Sequence, residues 1–372
     1  MTEAHSLTTA MLARVHKAIS EAQGCLPFDQ FMALALYEPG LGYYANQQPK
    51  FGTMPQSGSD FVTAPELSPL FGAALAKQVA EALKATDTEE VWEFGAGSGA
   101  LACQLLNELK QLGCQVKQYN IMDLSGTLKA RQQLRLAEFG DQVNWLNHWP
   151  ESLQGVVVGN EVLDAMPVKL LHRIQGVWHE RGVVKANTPE GLAWEDRRTD
   201  LRPPLEPVGE HDYLTEVQPQ GEAFVASLAD RLLASEKGGA AFFLDYGFPE
   251  SEFFHPERHM GTLMCHQAHK ADANPLDAVG LKDITAHVNF TGMALAGQNA
   301  GLQVLGYTSQ ARFLLNLGLA EKMAESSLVE RAQAMKLITE HEMGELFKVL
   351  GFATHPHWQA QGFAVGDRSH RL

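Results

Sequence analysis

The stretch VWEFGAGSGALACQLL, from Val91 to Leu106, determines the predicted fold class. An apolar run contains the carboxylate Glu93, glycines follow at positions 95, 97 and 99, and leucines then recur at helical spacing. A buried strand that turns through glycines into a helix forms the nucleotide crevice of doubly wound α/β folds. Because glycine tolerates positive φ and exposes its backbone, the stretch predicts a ligand in contact with this turn.

Strand and helix patterns alternate on both sides of this stretch. The apolar runs QYNIMDL, GVVVGN and GAAFFLDYG indicate strands, and a helix is predicted from Asp283. Two antiparallel strand patterns, GVWHERGVV and GLAWEDRR, interrupt the alternation. Alternating βα units predict an α/β fold with a doubly wound, mostly parallel, Rossmann-like sheet.

We predict two regions within this fold. Residues 1–85 are expected to form an N-terminal cap of helices and a glycine-rich loop. Residues 86–372 are expected to form the α/β domain. Insertions at about 176–220 and 249–282 are expected to face the substrate.

Composition and charge indicate which kinds of ligand or partner the protein could bind and where it is located. The formal net charge is −15, which argues against nucleic acid and suits a cationic ligand or a basic protein. No apolar run approaches the length of a membrane span, so we expect no membrane contact. The four cysteines contain no CxxC pair and the N-terminal sequence lacks a signal-peptide pattern. These features predict free thiols and a cytoplasmic location.

The residues around the glycines favour one cofactor over another. The dinucleotide fingerprint fails because Ala100 stands where its last glycine belongs. Glu93 would repel a pyrophosphate but suits a cation, and Asp123 ends the second strand, where an acid accepts hydrogen bonds from ribose hydroxyls. The combination predicts S-adenosylmethionine (SAM), and the alternative is a tight turn whose acids are only solvated.

Polar residues also follow two further strands. Asn160, Glu161 and Asp164 come directly at the end of GVVVGN, and Asp245 and Tyr246 end GAAFFLDYG. Ligands of open α/β sheets lie beyond the carboxyl ends of the strands, so these side chains are candidates to face the substrate. Asn160 and Asp164 could equally be caps or turn formers, and Asp245 could be a turn acid.

Several segments together resemble one protein family. They are YEPGLGYY, GSDFVTAPELSPLFG, VWEFGAGSGAL, NEVLDAMPV, FLDYG, DITAHVNF and FKVL, spread over nearly the whole chain. The chain resembles the MidA-like branch of class I SAM-dependent methyltransferases, whose mitochondrial member methylates an arginine on a subunit of respiratory complex I. The chain departs from the family pattern at Asn289, where the family usually has aspartate, and in CHQAHKADANP.

The resemblance implies a SAM-methyltransferase sheet, a cofactor site and a substrate cleft lined by residues 59–66 and 160–164. The predicted cofactor residues are Glu93, Gly95, Ala96, Gly97, Gly99, Asp123, Leu124 and Asn160. The predicted catalytic residues are Glu161, Asp164, Asn160, Glu66 and Asp60. No metal is predicted, and Cys265, His266 and His269 are interpreted as incidental loop residues.

The predicted reaction is methyl transfer from SAM to an arginine of a partner protein, with a respiratory-complex subunit as a candidate partner. An arginine side chain is always protonated and planar, so carboxylates must hold it, preferably in bidentate geometry. Glu161 is the candidate clamp, with Asp60, Glu66 or Asp164 as a helper. The alternatives are a non-catalytic SAM-binding assembly factor and a nicotinamide-dependent oxidoreductase.

Two smaller assignments complete the predictions. His287 is placed on a helix, where substrate contact and a packing hydrogen bond are equally plausible. Tyr43 and Tyr44, in the glycine-rich loop, are assigned to packing rather than to the cleft.

Overall fold

The computed structural model describes residues 3–46, 62–123, 126–188, 191–267, 270–355 and 358–372. The helices in these ranges are α1 Glu3–Glu21, α2 Phe28–Tyr37, α3 Ala64–Leu67, α4 Pro69–Thr86, α5 Ala100–Gln111, α6 Gly126–Arg135, α7 Pro219–Leu233, α8 Glu250–Phe253, α9 Phe290–Asn299, α10 Gln310–Asn316, α11 Leu319–Glu325 and α12 Leu328–Ile338. The first strands are β1 Leu26–Pro27, β2 Glu90–Phe94, β3 Gln118–Met122, β4 Val143–Leu146, β5 Gly155–Asn160, β6 Lys169–Ile174, β7 Val177–Lys185 and β8 Leu192–Arg198. The remaining strands are β9 Tyr213–Val217, β10 Gly239–Phe248, β11 Met264–Gln267, β12 Lys270–Asp272, β13 Asp283–Thr285, β14 Val288–Asn289, β15 Gln303–Ser309 and β16 Phe347–Ala353.

A central sheet organises the molecule. Its strand order is β15-β16-β10-β5-β2-β3-β4, and β14 pairs with the end of β10. Strands β4, β3, β2, β5 and β10 are mutually parallel, whereas β16 runs antiparallel to both of its neighbours. The predicted doubly wound, mostly parallel sheet is confirmed, and the carboxyl ends of β2, β3, β5 and β10 meet at one edge.

Helices cover both faces of this sheet. On one face, α4, α5, α10, α11 and α12 bury an apolar cluster against β2, β3, β5, β10 and β16. On the other face, α7 and α9 pack on the side chains of Trp92, Val157 and Phe243. Helix α4 begins at Pro69, and the Ser68 hydroxyl accepts a hydrogen bond from Leu70 N as the N-cap.

A second, antiparallel sheet lies beside the N-terminal helices. Its order is β1-β7-β6-β9, with β8 on β7, so the two antiparallel strands predicted within residues 176–220 are confirmed. Val15 of α1 and Phe28 of α2 share an apolar cluster with Leu170 and Val183 of this sheet. We call α1, α2 and this sheet the N-terminal unit. The proposed boundary between residues 85 and 86 stays a prediction. It falls inside the last turn of α4, Pro69–Thr86, and this helix packs on α5.

The prediction of a helix from Asp283 is wrong. Residues Asp283–Thr285 form β13, which pairs with β11, and all three are buried. The helix begins only at Phe290, where the Asn289 side chain accepts a hydrogen bond from Gly292 N. His287 therefore lies in an extended segment between β13 and β14, not on a helix. Strand pairing with β11, a contact that no local pattern shows, outweighs the helical spacing.

Candidate functional site

The glycine turn, residues 95–99, has the conformation that its sequence predicts. Gly95, Gly97 and Gly99 have φ values of +66°, +53° and +80°, a region that favours glycine. Gly95 N donates to Met122 O of β3 at 3.1 Å, and Gly99 caps the start of α5. A Cβ on Gly95 would lie 3.1 Å from Val162 Cγ2, so the turn has little room for a side chain.

A cavity of about 870 Å³ opens beside this turn at the carboxyl ends of the strands. Such a volume is ordinary for a site that binds a small molecule. The sequence-predicted residues that line it are Glu66, Glu93, Gly95, Ala96, Gly97, Asp123, Asn160, Glu161 and Asp164. Gly99 lies at the start of α5 without being among the lining residues, and Asp60 and Leu124 lie outside the described residues.

Glu93 is a buried acid that lines the cavity. Only 2% of the residue is exposed, and the Tyr119 hydroxyl donates to its Oε2 at 2.6 Å. Burial raises the pKa of Glu93 to about 7; the Tyr119 hydrogen bond opposes the shift and the charge of Asp123 adds to it. A bound cation would favour the ionised carboxylate.

Gln132, on α6, joins the two predicted halves of the cofactor site. Its Nε2 donates to Asp123 Oδ2 at 2.8 Å and to Gly97 O at 3.0 Å. Its Oε1 accepts from Trp145 Nε1 at 3.0 Å, and the residue is fully buried. Sequence reasoning missed Gln132 because its partners lie on three other elements.

Glu66 is tied to the glycine turn rather than to the acids of β5. Its Oε1 accepts hydrogen bonds from the Ser98 hydroxyl and from Arg135 Nη1, the latter at 2.9 Å. Burial raises the pKa of this carboxyl, but the bonds from Ser98 and Arg135 outweigh burial and leave it below its ordinary value. Glu66 is therefore an ionised partner of Arg135.

The acid turn, residues 160–164, follows β5 and carries two acids into the cavity. Glu161 adopts φ +54°, an uncommon conformation for a residue with a side chain, and Asn160 Nδ2 donates to its Oε1 at 3.0 Å. Burial, followed by the charge of Asp164, raises the pKa of Glu161 to about 8. Burial raises the pKa of Asp164 to about 6, against a 2.6 Å hydrogen bond from the Tyr246 hydroxyl.

Two tyrosines, one at the end of α2 and one in the loop after it, line this cavity. Tyr44 Oη donates to Asp283 Oδ1 at 2.9 Å, Tyr37 Oη donates to Ala165 O at 2.8 Å, and both tyrosines line the cavity with stacked rings. Tyr43 is a packing residue, 2% exposed, but the assignment of Tyr44 to packing was incomplete. Tyr44 and Asp283 are far apart in the sequence, so no local pattern predicts their contact.

His287 and His266 also line the cavity. The His287 Nδ1 is buried with no hydrogen-bond partner, and burial, with the charges of Arg258 and Lys348, lowers its pKa to about 4. Cys265 beside His266 is buried, and His269 lies outside the described residues. Among described residues, no group of three His, Cys, Asp or Glu side chains could hold a metal ion.

The glycine turn fits SAM. Backbone with positive φ and no Cβ faces the cavity, and a carboxylate from β3, Asp123, stands next to it. Six acids line the cavity, whereas Arg258 is the only lysine or arginine among its described lining residues. This charge suits a ligand that carries an ammonium and a sulfonium.

Comparison with known proteins agrees with this geometry. A Burkholderia thailandensis protein solved bound to S-adenosyl-homocysteine is 44% identical, with a TM-score of 0.94 over 100% of this chain and 99% of that one. The Danio rerio protein arginine methyltransferase NDUFAF7, mitochondrial, is 28% identical, over 88% of this chain and 83% of its own. Its Homo sapiens counterpart is 26% identical, over 96% of this chain and 86% of its own.

The same comparison corrects one prediction. The curated relatives are named as mitochondrial proteins, which contradicts the predicted cytoplasmic location, and scattered cysteines do not distinguish between reducing compartments. No helix in the described ranges is long and apolar enough to cross a membrane.

Residues 74–308 match the family described as "Putative S-adenosyl-L-methionine-dependent methyltransferase". The match covers more than half of the chain and includes the glycine turn, the acid turn and β10. SAM is accordingly the cofactor, and the nicotinamide alternative is set aside. The chain belongs to this family of SAM-dependent methyltransferases.

Proposed function

We propose that the protein transfers the methyl group of SAM to a guanidinium nitrogen of an arginine in a protein substrate. The observation that carries the proposal is the position of Glu161, Asp164 and Asp283, which line the same cavity as the glycine turn. The names of the Danio rerio and Homo sapiens relatives support it. An origin of the substrate in a respiratory complex stays a prediction.

The cofactor end of the cavity is proposed to lie between β2 and β3. Backbone of residues 95–99 would contact the cofactor, Asp123 would accept hydrogen bonds from the ribose, and Glu93 would face its cationic part. When bound, SAM supplies a methyl carbon that is activated by its sulfonium. Asn160 lines the cavity and is proposed to contact both cofactor and substrate, and Leu124 stays a predicted contact outside the described residues.

The substrate end is proposed to hold the guanidinium between carboxylates. Glu161 and Asp164 share one turn, and the charges of Asp164 and Asp283 both act on Glu161. A bound guanidinium would lower the pKa of Glu161 from about 8, because the ionised carboxylate would gain an opposite charge. The bidentate geometry that arginine favours would orient the nitrogen that reacts.

The acid turn can also receive the proton that methylation releases. The methyl carbon's bond to sulfur breaks as its bond to the attacking nitrogen forms, S-adenosyl-homocysteine is the leaving group, and the nitrogen loses a proton. Burial raises the pKa of Asp164 to about 6, so Asp164 is a better base than a solvated carboxylate and can accept this proton while Glu161 holds the guanidinium. Asp60, outside the described residues, stays a predicted helper, whereas Glu66 is occupied by Ser98 and Arg135.

Transfer to defined peptides tests the proposal. Purified protein would be incubated with methyl-labelled SAM and a set of peptides that each contain one arginine, with matched peptides that contain lysine instead. We expect labelled methylarginine after acid hydrolysis of the arginine set alone. Label on lysine would contradict the proposal, and binding of S-adenosyl-homocysteine without any transfer would favour a non-catalytic SAM-binding protein.

A further inference from the structure

Strand β10 lies next to β5 and is hydrogen-bonded to the start of the acid turn. Leu244 pairs with Asn160 at the end of the two strands, and Glu161 N donates to Leu244 O at 2.9 Å. The next residue, Asp245, is 1% exposed and is not among the residues that line the cavity. Its carboxylate points at the backbone of the turn.

Three consecutive N–H groups converge on one oxygen of Asp245. Val162 N, Leu163 N and Asp164 N lie 3.1, 2.8 and 3.3 Å from Oδ2. Oδ1 accepts from Tyr246 N at 3.0 Å. Burial, followed by the charge of Asp164, raises the pKa of Asp245 well above its ordinary value, whereas the N–H bonds on its two oxygens favour the ionised carboxylate. The turn depends on this side chain because its three N–H groups share that one acceptor oxygen.

The turn needs such an acceptor because its first acid is strained. Glu161, at φ +54°, adopts a backbone conformation that is strained in a non-glycine residue and persists only where the surroundings impose it. The bonds from residues 162, 163 and 164 to Asp245 supply that constraint. Tyr246 adds a second one, since its hydroxyl holds the Asp164 side chain at 2.6 Å.

We propose that Asp245 and Tyr246 are positioning residues for the acid turn. Asp245 fixes the backbone that directs Glu161 into the cavity, and Tyr246 fixes the carboxylate of Asp164. The inference rests on the proposed function only where it assigns substrate contact to these two acids. Neither residue is needed to hold SAM at the glycine turn.

A crystal structure of the Asp245→Asn variant with S-adenosyl-homocysteine tests the backbone part without any substrate. An amide gives the three N–H groups a neutral, weaker acceptor and turns a donor toward Tyr246 N. We expect Glu161 to leave positive φ while residues 95–99 keep theirs. An unchanged acid turn overturns the inference, whether or not the wild type methylates arginine.

Titration of Asp164 tests the Tyr246 part, and it decides the inference if Asp245→Asn does not fold. The groups facing Asp164 are Glu161, Asp245, Tyr246, Tyr37 and Tyr44. Since the Tyr246 hydroxyl lowers the pKa of Asp164, Tyr246→Phe must raise it. Carboxyl ¹³C NMR, with Asp164→Asn for assignment, measures this value, and an unchanged pKa overturns the inference.

Rates supply the functional readout, with two matched controls. Asp367→Asn removes another carboxylate that accepts backbone N–H bonds, and Tyr307→Phe removes a buried hydroxyl that has no partner. We expect Asp245→Asn and Tyr246→Phe to lower kcat at least ten-fold with S-adenosyl-homocysteine affinity within two-fold of wild type. Both controls keep wild-type kcat. Loss of cofactor affinity in step with kcat overturns the assignment.

If the wild type itself transfers nothing to arginine, the proposed function fails. The crystal structure of Asp245→Asn and the titration of Asp164 still decide the positioning role.

Discussion

Gln132 donates a hydrogen bond of 2.8 Å to the carboxylate of Asp123, and the same nitrogen donates to Gly97 O at 3.0 Å. One buried amide thus fixes the distance between the glycine turn and the acid that ends β3. These two features are the ones from which the sequence predicts SAM. Their separation depends on a residue of α6 that contributes no recognisable motif.

Gln132→Ala should weaken cofactor binding. The substitution releases Asp123 and Gly97 together, and a hydrogen bond to a charged group contributes about 1.5–3 kcal/mol. We expect the Kd for S-adenosyl-homocysteine, measured by calorimetry, to rise about ten-fold or more. Gln142→Ala, which removes a comparable side-chain bond to Val116 O, is the control and should leave the Kd unchanged. A Kd within two-fold of wild type for Gln132→Ala would contradict this role.

Glu93 should make the ligand-free protein less stable as pH rises. Burial raises its pKa to about 7 in the folded protein from 4.5, so the folded state binds more protons than the unfolded state between these values. The free energy of unfolding then falls as pH increases through this window, by about 3 kcal/mol from this group.

Denaturant unfolding at pH 5 and pH 7.5 measures this effect. Glu93→Gln should lose less stability between the two values than wild type, and the difference isolates Glu93 from the other buried acids. Glu90→Gln, on the same strand, should keep the wild-type dependence. Equal pH dependence in wild type and Glu93→Gln would show that the carboxylate is ionised throughout.

Tyr44→Phe should weaken substrate use without affecting the cofactor. Its hydroxyl donates to Asp283 at 2.9 Å, and removal leaves that buried carboxylate with one donor fewer. We expect a several-fold higher KM for an arginine peptide, an unchanged Kd for S-adenosyl-homocysteine and a loss of about 1 kcal/mol in stability. Tyr307→Phe, whose hydroxyl has no partner, should match wild type in KM. An unchanged KM for Tyr44→Phe would show that this hydroxyl takes no part in substrate binding.

Local pattern accounts for the fold and for the cofactor end of the site. The Gly95–Gly99 turn, the strand before it and Asp123 at the end of β3 follow from apolar periodicity and from the conformations that only glycine adopts freely. These features depend on neighbours in sequence, which is why the sequence predicts them.

The substrate end depends on contacts between distant segments. The sequence predicts a helix from Asp283, whereas the structure has a strand there. The strand forms because it pairs with β11, a partner that sequence spacing does not reveal. Tyr44 meets Asp283 only because the loop after α2 lies beside β13, whose Ile284 shares an apolar cluster with α2. The positive φ of Glu161 depends on the carboxylate of Asp245, far away in the chain.

Single-turnover methyl transfer to an arginine peptide by wild type and by Glu161→Gln, with S-adenosyl-homocysteine affinity measured on both, decides whether Glu161 holds the substrate arginine. Glutamine keeps the size of the side chain but cannot carry the negative charge that holds a guanidinium. We predict a rate at least 100-fold lower for Glu161→Gln with an unchanged Kd. Equal rates for the two proteins would contradict the assignment of Glu161 as the residue that holds the arginine.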